Sequence, residues 1–225
     1  RKDMANGVRM IGTESTEVPT VTITITIPGG HILQANDTAK IGLADMFGDM
    51  MNEDTKNYTA EQMSIALQKL GSSVNVGSSF NGITISIQSL KKNLDATMTL
   101  VEERILNPRF TEAAFSRIQK QNLESFKQTK ADPAAVANNV FAKVNYGPDN
   151  ILAMSESGTE HTVRNLKVKD IQDYYDNYIT SQGTKVVVVG DVKQEEILPK
   201  LAFLNKLPNK KVTLPKVNST PPAID

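Results

Sequence analysis

From Thr20 to Ile27 the chain reads Thr-Val-Thr-Ile-Thr-Ile-Thr-Ile, a strict two-residue alternation. In an extended strand that period puts Val21, Ile23, Ile25 and Ile27 on one face and four threonines on the other. The threonine face reads as solvated, with hydrogen bonding to a neighbour as the alternative. Pro28-Gly29-Gly30 ends the strand with turn chemistry. Val8 to Thr13 is expected to be a strand paired with it. From Thr38 the period changes, and Ile41, Ala44, Phe47 and Met51 are spaced for one helical face. Thr59 and Gln62 form a capping-box pattern ahead of a second helix, with Met63, Ala66, Leu67 and Leu70 as its apolar stripe and Gly71 as its stop.

Two alternating runs follow, Ser73 to Phe80 and Ile83 to Leu90, joined through Asn81-Gly82 as a hairpin. Leu94, Met98, Val101 and Ile105 mark a third amphipathic helix, closed by Pro108. A long helix is expected from about Thr111 to Lys130. Asp132-Pro133 then restarts the chain, with Asp as N-cap and Pro at the first helical position. Beyond Tyr146-Gly147-Pro148, the pattern predicts a helix over about Val168 to Ile179. Val186 to Val189 is a continuous apolar run, read as a fully buried strand, and a last short helix covers roughly Gln194 to Ala202. Strands in pairs separated by runs of helices predict an α+β fold, an antiparallel sheet backed by helices on one face. No Gly-rich phosphate loop lies between a strand and a helix, which disfavours nucleotide binding.

Composition narrows the function without naming it. Hydrophobic residues make up 39% of the 225 positions, enough for a real core, and basic and acidic residues balance at 25 each. That balance removes the electrostatic case for nucleic acid or an anionic membrane surface. No window approaches the run of about 20 apolar residues that spans a bilayer. Cysteine is absent, which excludes disulfides, thiolate metal sites and cysteine nucleophiles. The start at Arg1-Lys2-Asp3 and a stretch 205–225 containing Pro208, Pro215, Pro221 and Pro222 suggest a domain over 1–204 followed by an extended linker, cut from a longer polypeptide.

The only histidines, His31 and His161, lack a His or Glu partner at metal-ligand spacing and read as surface or turn residues. No G-x-S-x-G elbow supports a serine triad. Tyr174, Tyr175 and Tyr178 lie at helical spacing and read as half-buried packing, not as a base-stacking platform.

Candidate chemistry centres on Gly42-Leu43-Ala44-Asp45-Met46-Phe47-Gly48-Asp49-Met50. This segment resembles the G-L-A-H-F-L-E-H-M helix of the insulinase/pitrilysin family of zinc peptidases, which carries the H-x-x-E-H signature. The likeness continues through Asn107-Pro108-Arg109-Phe110, Asp132-Pro133, Tyr146-Gly147, Ser157-Gly158-Thr159 and Val187-Val188-Val189-Gly190-Asp191-Val192. In the family motif two histidines four apart reach one zinc, and the glutamate shuttles a proton for the zinc-bound water. Here those positions hold Asp45, Asp49 and Gly48. The family's third ligand, a glutamate, maps by its spacing to Asp132-Pro133 near Ser125 to Lys127, where no acid occurs; Glu124 is one residue off, a turn of roughly 100° on a helix.

The resemblance therefore implies a mitochondrial-processing-peptidase-like domain with no catalytic, cofactor or metal residues of its own. Zinc is expected in a partner catalytic half, on the same chain or a separate subunit, with which this domain encloses peptide substrates. A structural or binding subunit outside proteolysis is the alternative. Family habit favours a bacterial periplasm or cell envelope over the cytoplasm. Asp45 and Asp49 at i,i+4 leave two readings open: a hard-cation site, for which further oxygen ligands are missing, and a solvated polar face, which is favoured. The pair costs about 0.2–0.5 kcal/mol as like charges, and Gly48 inside a helix around 1 kcal/mol more.

Overall fold

The computed structural model describes residues 1–217; Pro221 and Pro222 lie outside the described residues. Six strands form one sheet: β1 (Lys2–Asp3), β2 (Arg9–Glu14), β3 (Thr20–Pro28), β4 (Ser73–Ser79), β5 (Gly82–Leu90) and β6 (Lys185–Gly190). The helices are α1 (Leu43–Met50), α2 (Ala60–Lys69), α3 (Leu94–Leu106), α4 (Glu112–Ala131), α5 (Pro133–Tyr146), α6 (Glu160–Asn165), α7 (Val168–Tyr178) and α8 (Gln194–Lys200). None of them is long and apolar enough to cross a membrane.

The strand order is β1-β2-β6-β3-β5-β4. All neighbours are antiparallel except β2 and β6, which are parallel with Met10 opposite Val186 and Gly12 opposite Val188. The sheet is therefore mixed, and the expected pairing of Val8–Thr13 with Thr20–Ile27 is corrected. The last strand slips between them, so β3 pairs with β6 on one side and with β5 on the other. A sequence-local pairing gives way because β6 offers Val186 and Val188 to the core from both neighbours' register, a long-range gain that no local pattern reveals.

The helices cover one face. Val21, Ile23, Ile25 and Ile27 of β3, Ile83, Ile85 and Ile87 of β5, and Val186 and Val188 of β6 are buried against Phe47, Met50, Met63, Val101, Ile105 and Tyr174. Because only one face is covered, alternate β6 residues emerge on the other. Val187 is 43% exposed and Val189 42% exposed, which corrects the expectation of a fully buried strand. They share the open face with Ile11 and a field of Thr, Ser and Gln.

Local signals are followed closely. Thr59 and Gln62 make the reciprocal capping box (3.2 and 2.9 Å), and Asp132 caps α5 through Ala134 N–H (2.9 Å) with Pro133 as its first residue. The hairpin turn is displaced by one residue from Asn81-Gly82. Ser79 pairs with Gly82, so Phe80 and Asn81 form the two-residue loop and Gly82 starts the strand. After α8 a 3-10 turn spans Ala202–Lys206, with Phe203, Leu204 and Leu207 in the core. Pro208 and Lys210 carbonyls accept from Thr180 Oγ1 (both 2.6 Å), laying this part of the chain against the domain.

Candidate functional site

Helix α1 is positioned from its first residue. Gly42, its N-cap, has φ +97°, and a Cβ there would lie 2.8 Å from the Ser157 carbonyl. Only glycine meets both conditions, which is why the Gly42 and Ser157-Gly158-Thr159 segments lie together. Downstream, Ala44, Met46, Phe47 and Met50 are fully buried, and Phe47 stacks on Tyr174 with ring centroids 4.5 Å apart. Tyr174 in turn accepts a hydrogen bond from Gly30 N–H (2.9 Å). Burial raises its phenol far above the usual range, the Gly30 bond opposing and Tyr178 adding slightly. Of the tyrosines expected to be half-buried, Tyr175 and Tyr178 are so and Tyr174 is wholly inside.

Asp45 and Asp49 sit on the other side of α1, and Glu53 follows one turn later. Helix α4 runs past this edge in the opposite direction. Arg117 pairs with Glu53 (2.5 Å), and Asn122 hydrogen-bonds Asp49. Partial burial, reinforced by Asp45 and Glu53, pushes the Asp49 carboxyl up to about 6, and the Asn122 bond opposes the rise. Asp49 nevertheless keeps an open surface; its enclosure comes from surrounding protein mass, not from a lid over the carboxylate.

Zinc does not fit this donor set. The two family histidine positions carry acids, and the α4 residue that reaches Asp49 is the amide of Asn122. The stretch expected to face a third ligand offers none. Ser125 and Lys127 are exposed, Ser125 Oγ donates to the Asn122 carbonyl (2.9 Å), and Glu124 turns outward to Lys127 (2.9 Å). Among the described residues no three His, Cys, Asp or Glu side chains gather as a metal site.

Gly48 adds a steric reason. Its α-carbon packs on the edge strand β4, and a Cβ would meet Ser78 N at 3.0 Å and the Gly77 carbonyl carbon at 3.1 Å. The position where the family carries a proton-shuttling glutamate is filled by backbone. The helix-propensity cost assigned to Gly48 from sequence is thus offset by close helix–strand packing.

Two residues past α1, Asn52 completes that seam. Its Nδ2 donates to Gly48 O (3.0 Å) and Val76 O (2.7 Å), and its Oδ1 accepts from Val76 N–H (2.9 Å) and Arg104 Nη1 (2.9 Å). Arg104, only 5% exposed, also donates to Val74 O (2.9 Å). Burial pulls its guanidinium down from its usual range while the Glu53 carboxylate opposes the shift. Asn52 and Arg104 therefore pair with the free edge of β4 as a seventh strand would. Neither was evident from the sequence, since a polar residue after a helix and an arginine within one carry no spacing signal.

His31, read as a surface or turn residue, lies in a turn but not at the surface. It is 1% exposed, in the 3-10 turn His31–Asn36, with Nε2 donating to the Ile151 carbonyl (3.3 Å) and its ring 5.9 Å from that of Phe80. The Gly29-Gly30 turn folds the following residues inward, which composition does not disclose. His161 is exposed on α6, Nε2 3.5 Å from Asn165 Nδ2. The two histidines share no site.

Comparison with known proteins closes the question of kinship. Residues 9–148 match the profile of Insulinase (Peptidase family M16), a span that contains Asp45, Gly48 and Asp49. The chain belongs to the insulinase family, peptidase family M16. Residues 165–225 match the profile of the peptidase M16 inactive domain, and the M16 chain described here is a non-catalytic member that lacks H-x-x-E-H. Among curated relatives it is 28% identical over 205 residues to the non-peptidase homolog YmxG of Helicobacter pylori, covering 91% of this chain and 47% of that protein. The fold is that of the peptidase M16 inactive domain from Pseudomonas fluorescens (TM-score 0.87, 19% identity, 96% of this chain and 52% of that one). It also matches a protease from Helicobacter pylori (TM-score 0.84, 20% identity, 98% and 53%). The periplasmic protease PqqL from Escherichia coli matches with TM-score 0.81 at 18% identity over 96% of this chain and 24% of its own. The M16 chain thus spans about half the length of the curated relative, about half of the first two structures and a quarter of the third.

Proposed function

We propose that this chain is the silent half of a larger M16 peptidase, forming part of the wall that encloses peptide substrate while a partner half holds zinc and cuts. The observation that carries the reading is the helix α1. It keeps its place between the sheet, α4 and α7, yet the zinc and proton-transfer positions hold Asp45, Asp49 and Gly48, and the last is filled by the β4 backbone. A peptidase fold kept without its chemistry suits a part whose task is shape. In this reading the catalytic, metal and cofactor residues of this chain are none, and Asp45 and Asp49 form a polar surface. The chain past the last helix is laid on the domain at Pro208 and Lys210. The partner half lies on the same polypeptide or in a second subunit, and a periplasmic or envelope location accords with the periplasmic relative.

Titrating the chain into an isolated catalytic M16 half tests this. Hydrolysis of a fluorogenic peptide should rise and saturate at one chain per catalytic half. No rise across the series rejects the reading and favours the second one, a scaffold subunit with no part in proteolysis. That second reading draws its support from the relative named a non-peptidase homolog.

A further inference from the structure

We propose that the outer stripe of α5 is the surface on which the other M16 half of the peptidase seats. The inference rests on the silent-half reading and adds the place of contact. Helix α5 has 14 residues and not one is buried. Val136, Val140 and Val144 recur at i, i+4 and i+8, with Phe141 beside them, and they are 43%, 54%, 62% and 68% exposed. That is the apolar half of an amphipathic helix turned to solvent.

The neighbouring helix shows that this is not the habit of the whole surface. The 20 residues of α4 include Glu112, Arg117, Lys120, Glu124, Lys127 and Lys130, whereas α5 carries Lys143 alone. The inner side of α5 is already engaged with α4 and with the turn Ile151–Ala153. Among the described residues nothing covers its outward side, and a partner must be apolar and uncharged where it meets Phe141.

Length points to which partner. Relatives that match nearly all of this chain are about twice as long, this chain covering 47% of one and 52% and 53% of two others. As much protein again accompanies this unit in them, and the stripe is a surface suited to it. Exposed apolar area of this kind marks interfaces in soluble proteins, and a large aromatic flanked by aliphatic residues is the composition of an interface core.

The test places the photocrosslinking amino acid p-benzoylphenylalanine at position 141 of the natural polypeptide, together with its catalytic partner if that is a separate subunit. Glu195, on the exposed side of α8, is the control position. Irradiation should join position 141 to peptides of an M16 half outside residues 1–225. Adding Val140→Glu should lower that yield about tenfold, because an unpaired carboxylate is then driven into an apolar contact. Crosslinks to residues 1–225 of a second copy, or a yield no higher than at position 195, overturn the proposal. Peptide hydrolysis measured on the same sample separates the two ideas. An active complex without the crosslink removes only the docking surface, while a crosslinked complex without activity removes the silent-half reading.

Discussion

Replacing Asn52 with alanine removes the side chain that joins α1, the β4 edge and Arg104. Four hydrogen bonds go, at 2.7–3.0 Å. A neutral hydrogen bond contributes about 1 kcal/mol net and one from a charged donor about 1.5–3 kcal/mol. Val76 N–H and C=O lie at a sheet edge where water can replace part of the loss, so the sum is smaller than four full bonds. We expect a loss of about 3 kcal/mol, most of it from Arg104, which is buried and among the described residues keeps only Val74 O as a hydrogen-bond partner. The assay is urea unfolding followed by circular dichroism, reading the midpoint at unchanged slope. For a chain of this size the melting temperature should fall by about 6–12 °C. A double-mutant cycle with Arg104→Met should show coupling of about 1.5–3 kcal/mol. A loss under about 1 kcal/mol, or strictly additive single changes, would refute the view that this amide seals the edge strand.

Three further outcomes follow from the same geometry. Gly48→Glu should destabilise by about 1–3 kcal/mol through overpacking against Gly77 and Ser78; a neutral or stabilised variant in the same unfolding assay would show that β4 yields easily and that helix propensity decides. Asp49→Asn addresses charge. The folded carboxyl, at about 6, lies above its unfolded value, so the native state binds the extra proton and stability falls as pH rises from about 4 through 6. The Asn variant should therefore be more stable than the parent at pH 7.5 and lose that advantage near pH 4, and an equal difference at both pH values would rule this out. Tyr174→Phe should cost about 1–3 kcal/mol by stranding the Gly30 N–H in the core, measured by thermal unfolding; no change would mean that the turn finds another acceptor.

Much of the fold was legible because short-range rules governed it. The Thr/Ile alternation of β3, the Thr59–Gln62 box and the Asp132-Pro133 start are local physics, and each element formed where its pattern lay. The sheet order was not legible: whether β2 pairs with β3 or with β6 depends on residues about 175 positions apart, and no pattern in either strand encodes the choice. The site divided in the same way. The resemblance identified Asp45, Gly48 and Asp49, because they stand in a motif of fixed spacing. Asn122, Asn52 and Arg104 act through tertiary proximity and carry no motif, and Asn122 lies a turn before the stretch where spacing had placed a third ligand. His31 lies in a turn, as its sequence context suggests, but its burial follows from where that irregular turn points, which no local pattern discloses.

Whether α1 has lost its chemistry is read directly from the zinc stoichiometry and peptide turnover of this chain alone, by mass spectrometry of bound metal alongside a fluorogenic peptide assay. A silent half should carry substoichiometric zinc and show no hydrolysis that a chelator abolishes. One tightly held zinc per chain, with chelator-sensitive cleavage, would contradict it.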